Sequence, residues 1–311
     1  MKLVRFGPHG REKPGIVDSK GSIRDLSKVV PDIAGDALSP KGLAKIRKAP
    51  IEKLPLVRGN PRLAACVGGV GNLIAIGLNY SDHAAEAGMA IPKEPIIFNK
   101  VGSCICGPND DTIIPKGSTK LDWEVELGIV IGQRARYLSK DKALDVVAGY
   151  CLANDVSERA FQIERAGQWV KGKSCETFGP LGPWLVTKDE IKDPQGLNMW
   201  LDVNGEKRQR GNTKTMIFDW PPGLVLLSVL RAGAGRRHHH RHAAWRGARH
   251  EAGTKIPQGR RHRHPRHRRP RRAASEGGEV QEVRVGLTPE RKRPPDDASP
   301  PGVKMVHRTM P

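Results

Sequence analysis

The amino-acid sequence predicts a mixed α+β fold that is mainly β, with a small N-terminal module and a basic C-terminal tail. Short apolar or alternating runs, typical of strands, recur through the first 220 residues, and only a few short stretches have helical spacing. The segment from Pro50 to Pro61 is typical of a linker. Beyond residue 230 the composition shifts to dense charge, proline and glycine. We therefore divide the chain into residues 1–66, 67–230 and 231–311.

The N-terminal module, residues 1–66, is predicted to contain two strands and one short helix. Residues 2–6 and 15–18 have strand patterns, a turn follows at 19–21, and residues 39–46 favour a helix. Directly after this module, the glycine-rich residues 68–71 lack the spacing of a dinucleotide-binding loop. We interpret them as a turn.

A short helix with Ser81 or Asp82 as its N-cap is predicted to carry His83 and Glu86. These two residues are three positions apart, so they share one helix face. A glutamate beside a histidine orients the imidazole and raises its basicity, which suits a general base that acts on water. On this spacing alone, an ordinary surface pair is the better interpretation.

Residues 123–131 are predicted to form a strand that carries Glu124 and Glu126 on one face. Two neighbouring carboxylates repel each other unless a cation lies between them, and hard divalent cations prefer oxygen ligands. The alternative is a solvated strand face, although strands disfavour glutamate and the following run is apolar. Asp155, where a buried strand runs into a helix, is placed to be a third carboxylate, or else a helix N-cap.

The remaining elements up to residue 218 follow from local signals. Residues 141–145 favour a helical turn, and residues 146–153 a buried strand. The glycine- and proline-rich residues 178–186 predict a tight loop before a strand, and residues 199–208 predict a hairpin with an Asn-Gly turn.

Cysteine usage and apolar content indicate a cytoplasmic protein. The N-terminus has no apolar signal region, and no run approaches the ~20 apolar residues that a membrane helix needs. Five cysteines in 311 residues are an odd, sparse set, typical of free thiols in a reducing compartment. Cys104 and Cys106 lack a second ligand pair, so we interpret them as buried thiols rather than a zinc site.

Several separated motifs between residues 73 and 218 together resemble one family. These motifs are GLNYSDHAAE, EPIIFNK, DWEVELGIVIG, NDVSERAFQ, KGK, TFGPLGPWLVT and VNGEKRQRGNTKTMIF. They resemble the fumarylacetoacetate hydrolase family, specifically its bacterial members that act on 2-keto acids. The resemblance implies a β-roll catalytic domain with strands wrapped around the site, and a homodimer.

The resemblance also implies a function and the residues that perform it. Glu124, Glu126 and Asp155 match the family's ligands of Mg²⁺ or Mn²⁺. The water-activating pair matches His83 and Glu86, the active-site lysine matches Lys173, and a glutamine near the substrate matches Gln162. The implied activity is a metal-dependent hydrolase or lyase that cleaves a C–C bond of a 2-keto or 2,4-diketo acid. The alternatives are an isomerase or decarboxylase of a 2-hydroxymuconate-type diacid, or a ureidoglycolate lyase.

The tail, residues 231–311, does not continue the family pattern. Residues 236–272 supply +13 of the net charge of +20 and eight of the eleven histidines. Such a segment can bind phosphate backbones non-specifically, which gives a rival function of a different class. Its low apolar content predicts a disordered tail with at most short helices.

A shifted reading frame explains the tail better than a nucleic-acid function does. If bases two and three of each codon are joined to base one of the next, residues 233–254 are compatible with EPGDVIITGTPPGVGHGMKPE. That sequence is like the family's PGDVI-TGTP-GVG segment, whose Thr-Gly-Thr contacts the substrate carboxylate. Residues 269–279 are compatible with GLGEQRQKVV, and the shifted frame can first end at Val285. We infer a frameshift between Asp219 and Ala232, which predicts a weakly active or inactive chain without the family's closing strands.

Overall fold

The computed structural model describes residues 1–86, 88–218, 227–228, 282–289 and 305–309. These residues belong to one compact unit, which spans residues 1–232 and 277–311. The predicted tail therefore falls mostly outside the described residues, as does the frameshift window apart from residues 227–228. Among the helices that the structure describes, none is long and apolar enough to cross a membrane.

The N-terminal strands belong to the same sheet as the central strands. The first elements are β1 (Lys2–Phe6), β2 (Lys13–Val17), β3 (Ile23–Asp25) and α1 (Pro40–Arg47). Ser39 caps α1, because its side chain accepts a hydrogen bond from the Gly42 amide. The domain boundary near residue 66 stays a prediction.

Short strands dominate the middle of the chain, and the helices between them span six residues or fewer. In chain order they are β4 (Asn72–Gly77), α2 (Ser81–Glu86), β5 (Ile96–Lys100), β6 (Ile105–Cys106), β7 (Thr112–Ile114), β8 (Leu121–Asp122), β9 (Val125–Ile131), β10 (Val147–Asn154), β11 (Ser157–Glu158), α3 (Arg159–Ile163), α4 (Val170–Lys173), β12 (Gly179–Thr187), β13 (Leu197–Val203) and β14 (Glu206–Asn212). Short 3₁₀ segments occur at Gly35–Leu38, Ile51–Lys53, Gly102–Cys104, Lys140–Val146, Lys188–Glu190 and Thr213–Thr215.

The described strands form a ten-stranded sheet, a five-stranded sheet and a two-stranded pair. With β15 (Leu227–Ser228), the large sheet has the order β3-β2-β1-β12-β10-β9-β15-β4-β5, and β6 pairs with β12. With β16 (Glu282–Pro289) and β17 (Met305–Thr309), the second sheet has the order β14-β13-β16-β17-β7. The pair is β11-β8. The mixed, mainly β fold class is confirmed.

Two apolar cores lie against these sheets. One joins the N-terminal strands to β10 and β12 and includes Leu3, Ile16, Leu181 and Leu185. The other lies between β9, β10 and β13 and includes Val125, Ile129, Tyr150, Met199 and Leu201. The second core fixes the start of β9 against the second sheet; Glu124 precedes this strand and Glu126 lies in it.

Two local predictions were wrong. Residues 178–186 were expected to form a tight loop, but Gly179–Thr187 is strand β12. Its Gly182 and Pro183 lie at a register shift against β10, where pairing tolerates residues that disfavour regular strands. Coil or short helix was expected throughout the tail, but residues 282–289 and 305–309 are strands. The sequence alternates Val283, Val285 and Leu287 with other residues, which is a strand pattern.

The substitution Gly149→Ala should destabilise the protein by about 2 kcal/mol or more. Gly149 lies in β10, and a Cβ atom there would come within 2.2 Å of the Val186 carbonyl oxygen of β12. The backbone of a paired strand cannot shift without loss of ladder hydrogen bonds. Urea unfolding of the two proteins measures the difference. Gly211→Ala is the matched control, because its Cβ would have no heavy atom nearer than 4.0 Å. Equal losses in both variants would contradict this account.

Candidate active site

One cavity of about 780 Å³ collects all seven predicted site residues. Its wall includes side chains from strands, helices and the loops that join them. The predicted residues among them are His83, Glu86, Glu124, Glu126, Asp155, Gln162 and Lys173. The sequence separates these residues by up to 90 positions, so only the fold brings them together.

Lys173 lies at the centre of the charged end of this cavity. Its Nζ is 2.6 Å from Oε2 of Glu124 and 2.7 Å from Oδ2 of Asp155, and its side chain is only 2% exposed. Burial would lower the pKa of Lys173, but the Asp155 and Glu124 carboxylates outweigh burial and raise that pKa. Lys173 is therefore a buried lysine whose charged form is favoured, rather than a solvated surface lysine.

Asp155 is held by two lysines rather than by a helix end. Its Oδ1 is 2.6 Å from the Nζ of Lys100, which also donates to the carbonyl oxygens of Val156 and Lys173. Burial would raise the pKa of Asp155, but Lys100 and Lys173 lower it to about 2. The N-cap of α3 is Glu158, whose side chain accepts from the Ala160 amide. The N-cap alternative for Asp155 is therefore wrong.

The acidic pair flanks the start of β9. Glu124 immediately precedes the strand, its amide donates to Oδ1 of Asn154, and its Oε1 is bound by Arg159. Glu126 lies in the strand and is half-buried. Burial, with the neighbouring Glu124 and Asp155 carboxylates, raises the pKa of Glu126 well above its ordinary value. The pair lines a cavity, so the alternative of a solvated strand face does not hold.

The charged end has the donor set of a divalent-cation site. Three carboxylates converge there, and burial, together with the Glu124 and Asp155 carboxylates, raises the pKa of Glu126. Carboxylate oxygens are the donors that a hard divalent cation prefers, and a cation bound in place of the Glu126 proton would offset the repulsion among the three groups, so the residues fit such an ion. In the described part of the chain, however, no three carboxylate, histidine or cysteine groups are already arranged around a common metal position.

His83 and Glu86 lie on the exposed side of α2, which spans Ser81–Glu86, so the predicted N-cap candidates Ser81 and Asp82 lie inside the helix. Both residues line the cavity. Within the described residues, no hydrogen bond joins the two side chains, although the sequence predicts that Glu86 orients His83. Their roles stay predictions.

The sequence motifs contained two further site residues without indicating a role for them. Lys100 ends β5 and is buried, and Arg159 begins α3 and binds Asp122, Glu124 and Gln162. The sequence features that could have indicated their roles are a lysine at the end of an apolar strand and an arginine four residues after Asp155. Neither residue type is usually buried without a charged partner.

The metal-free protein should lose stability as the pH falls from about 4 towards about 2. The folded-state pKa of Asp155, about 2, lies below the ordinary value of 3.8. Its ionised form therefore stabilises the fold above pH 3.8, and this contribution of about 2 kcal/mol is lost as the pH falls through the folded-state pKa. Urea unfolding over this pH range measures the loss. Asp155→Asn should show a smaller pH slope, and an unchanged slope would contradict the assignment.

Comparison with known proteins identifies the class of protein that this fold and site define. The family model described as Fumarylacetoacetate (FAA) hydrolase C-terminal matches residues 72–232. A hydrolase of unstated substrate from Burkholderia orbicola (strain MC0-3) is 63% identical over 229 residues, which cover 74% of this chain and 81% of that protein. The chain therefore belongs to the fumarylacetoacetate hydrolase family, as the sequence motifs predicted.

Solved structures similar to this chain include hydrolases and an isomerase. A fumarylacetoacetate hydrolase from psychrophilic Exiguobacterium antarcticum is 34% identical with a TM-score of 0.59, over 70% of this chain and 78% of that one. A maleylpyruvate hydrolase from Sphingobium sp. SYK-6, in complex with manganese (II) and pyruvate, is 27% identical with a TM-score of 0.58, over 70% and 79%. A 5-carboxymethyl-2-hydroxymuconate delta-isomerase from Mycobacterium smegmatis is 29% identical with a TM-score of 0.53, over 70% and 78%.

Proposed function

We propose that the site is that of a divalent-metal-dependent hydrolase or lyase that cleaves a C–C bond of a 2-keto or 2,4-diketo acid. The observation that carries this proposal is the charged end of the cavity. There Lys173 bridges Glu124 and Asp155 beside Glu126. Carboxylates for a cation and a charged ammonium group thus lie within one wall of a cavity large enough for a small acid.

Glu124, Glu126 and Asp155 would hold the cation, Mg²⁺ or Mn²⁺. When bound, such an ion supplies Lewis-acid stabilisation of negative charge on the oxygens of a 2-keto acid. The similar maleylpyruvate hydrolase structure contains manganese (II) and pyruvate, which is itself a 2-keto acid. That complex supports both the kind of ion and the kind of substrate.

Lys173 and Gln162 would stabilise and orient the substrate. Because the pKa of Lys173 is raised, its ammonium group stays charged at neutral pH, where it would stabilise negative charge on a substrate oxygen. Gln162 is buried, and its Oε1 accepts from Nη1 of Arg159. Its amide N–H groups are therefore the donors that remain for a substrate oxygen.

His83 would act as the general base. A neutral imidazole accepts the proton of a water molecule as that water attacks the carbonyl group distal to the keto acid. Glu86, one turn away on α2, would stabilise the resulting imidazolium. The contact between the two side chains would have to form when substrate binds, since catalytic hydrogen bonds are often long in the free enzyme.

A turnover screen tests the proposal. Acylpyruvates, diketo sugar acids and hydroxymuconates are each incubated with the protein and Mg²⁺ or Mn²⁺, with a chelator as the matched control. Metal-dependent cleavage of an acylpyruvate or a diketo acid is the expected result. Isomerisation of a hydroxymuconate without cleavage would instead favour the isomerase, a class that several similar structures represent. No metal-dependent turnover by a frame-restored chain on any of them would overturn the proposal.

Three further predictions concern the assembly of the protein, its location and its tail. A homodimer and a cytoplasmic location stay predictions, and so does non-specific nucleic-acid binding by the tail. All five cysteines are free thiols, as expected of a reducing compartment. Salt-dependent binding to DNA without keto-acid turnover would favour the tail function over the enzyme.

A further inference from the structure

We propose that the substrate carries an uncharged group at the end distal to its 2-keto acid, and that this group packs against Phe98 and Trp169. The inference rests on the proposed function, because it places the keto acid at the charged end of the cavity. The inference restricts the preferred substrates from 2-keto acids in general to those with a single carboxylate. Diacids are thereby excluded as the preferred substrates.

An aromatic wall begins where the charged end of the cavity stops. The Nζ of Lys173 lies 5.2 Å from the centroid of the Phe98 ring. The ring of Trp169 packs against that of Phe98 at a centroid distance of 5.3 Å and an interplanar angle of 58°. Both rings are half-buried and line the cavity, so part of each apolar surface faces the space that a substrate would fill.

The backbone fixes this aromatic wall relative to Lys173. The carbonyl oxygen of Trp169 accepts hydrogen bonds from the amides of Gly172 and Lys173, both 3.0 Å long, in the single turn that ends at Lys173. On its other side, Trp169 packs directly on Gly77, where a Cβ atom would come within 2.3 Å of the indole ring. The turn and the packing on Gly77 therefore place the indole ring and Lys173 in the same part of the cavity wall. A substrate held by Lys173 would have its next atoms near the Phe98 ring.

The charges that line the cavity disfavour a second substrate carboxylate. In the described residues, every lysine or arginine of the cavity wall is already paired with a carboxylate; these are Lys100, Arg159, Lys173, Arg208 and Arg210. Around His83, the α2 side of the cavity adds the carboxylates of Asp82 and Glu86. A distal carboxylate would lose hydration and would have to compete with the carboxylates that already pair with these cations, and Asp82 and Glu86 would repel it.

A binding experiment with stable 2-keto acids tests this inference apart from turnover. In the presence of Mg²⁺, pyruvate is titrated first, because it reports only on the keto-acid end. Phenylpyruvate, 2-oxopentanoate and 2-oxopentanedioate follow; the last two share one chain length and differ in the distal carboxylate. Calorimetry is done on the chain as written and on a frame-restored chain. Whichever chain binds pyruvate is used for the comparison.

We expect phenylpyruvate and 2-oxopentanoate to bind at least about tenfold more tightly than 2-oxopentanedioate. Trp169→Leu and Phe98→Leu should each reduce the preference for phenylpyruvate over pyruvate by about threefold or more. Tyr137→Leu, which changes an aromatic side chain that is 90% exposed and outside the cavity, is the matched control and should not alter it.

Different results would contradict the inference alone and the inference together with the proposed function. If pyruvate binds, but 2-oxopentanedioate binds as tightly as 2-oxopentanoate or more tightly, the inference is overturned and the proposed function still stands. An unchanged phenylpyruvate preference in both aromatic variants would also overturn it. If neither chain binds pyruvate with Mg²⁺, the proposed function and the inference fail together.

Discussion

A single-base correction of the reading frame within codons 219–232 should raise 2-keto acid turnover at least about a hundredfold over the chain as written. The corrected segment would restore Thr-Gly-Thr, which the family resemblance assigns to the substrate carboxylate. It would also restore the family's own closing strands. Loss of donors that bind a buried carboxylate removes both substrate affinity and stabilisation of the reacting state.

The comparisons agree with the position of this predicted change. The family model ends at residue 232, within the window inferred from codon compatibility. Sequencing of the gene region is the first measurement: the shifted nucleotides should spell Thr-Gly-Thr-Pro at about codons 240–243. Expression of the written and corrected chains, followed by turnover and solubility assays, is the second.

Two outcomes would contradict the frameshift. In one, the shifted nucleotides do not encode Thr-Gly-Thr-Pro. In the other, the written chain turns over substrate at ordinary enzyme rates. Strands β16 and β17 give the second outcome a structural basis, because part of the written tail pairs with β13 and β7. Deletion of residues 277–311 from the uncorrected chain tests this possibility. The deletion should lower turnover and stability only if these strands contribute to a working fold.

Glu124→Ala should abolish Mg²⁺ binding, with affinity reduced at least about a hundredfold. Glu124 and Asp155 are the carboxylates that Lys173 bridges, and after burial they are the next causes of the raised pKa of Glu126. Removal of either Glu124 or Asp155 takes away one of the three carboxylate donors and one negative charge, which weakens the attraction for a hard cation. Calorimetric titration with Mg²⁺ and Mn²⁺ measures the effect directly.

Asp155→Ala should abolish Mg²⁺ binding too, but it also leaves Lys100 and Lys173 buried without one of their partners. Breaking such a pair costs about 3–5 kcal/mol of stability, so Asp155→Asn is the companion variant that preserves shape. Circular dichroism confirms that each variant is folded before titration.

Two further variants make the metal assignment specific. Glu206→Ala removes an exposed carboxylate that pairs with Arg208 and is not part of the cavity wall, so Mg²⁺ affinity should not change. His83→Ala should keep most of the Mg²⁺ affinity and lower the turnover rate, because His83 is predicted to move a proton rather than hold the ion. Unchanged Mg²⁺ affinity in Glu124→Ala would remove the assignment.

Local sequence signals were enough for several elements. The Asn204-Gly205 turn follows from the two residues that most readily adopt positive φ, here 52° and 81°, and it fixes the β13–β14 hairpin. The helix that starts at Ser81 and the 3₁₀ turn at Lys140–Val146 likewise follow from short-range preferences. Glycine and proline misled the prediction for β12, because a register shift against β10 accommodates them there.

The sequence by itself determined the family and the candidate residues, because types and spacings such as Glu124-Val125-Glu126 are local properties of the chain. Only the tertiary structure decided which of these groups meet and in what state. Lys173 lies between Glu124 and Asp155, Lys100 is buried behind Asp155, and Glu158 rather than Asp155 caps α3. The physical reason is that pairing and desolvation of charges depend on distances across the fold. Linear spacing contains no measure of those distances.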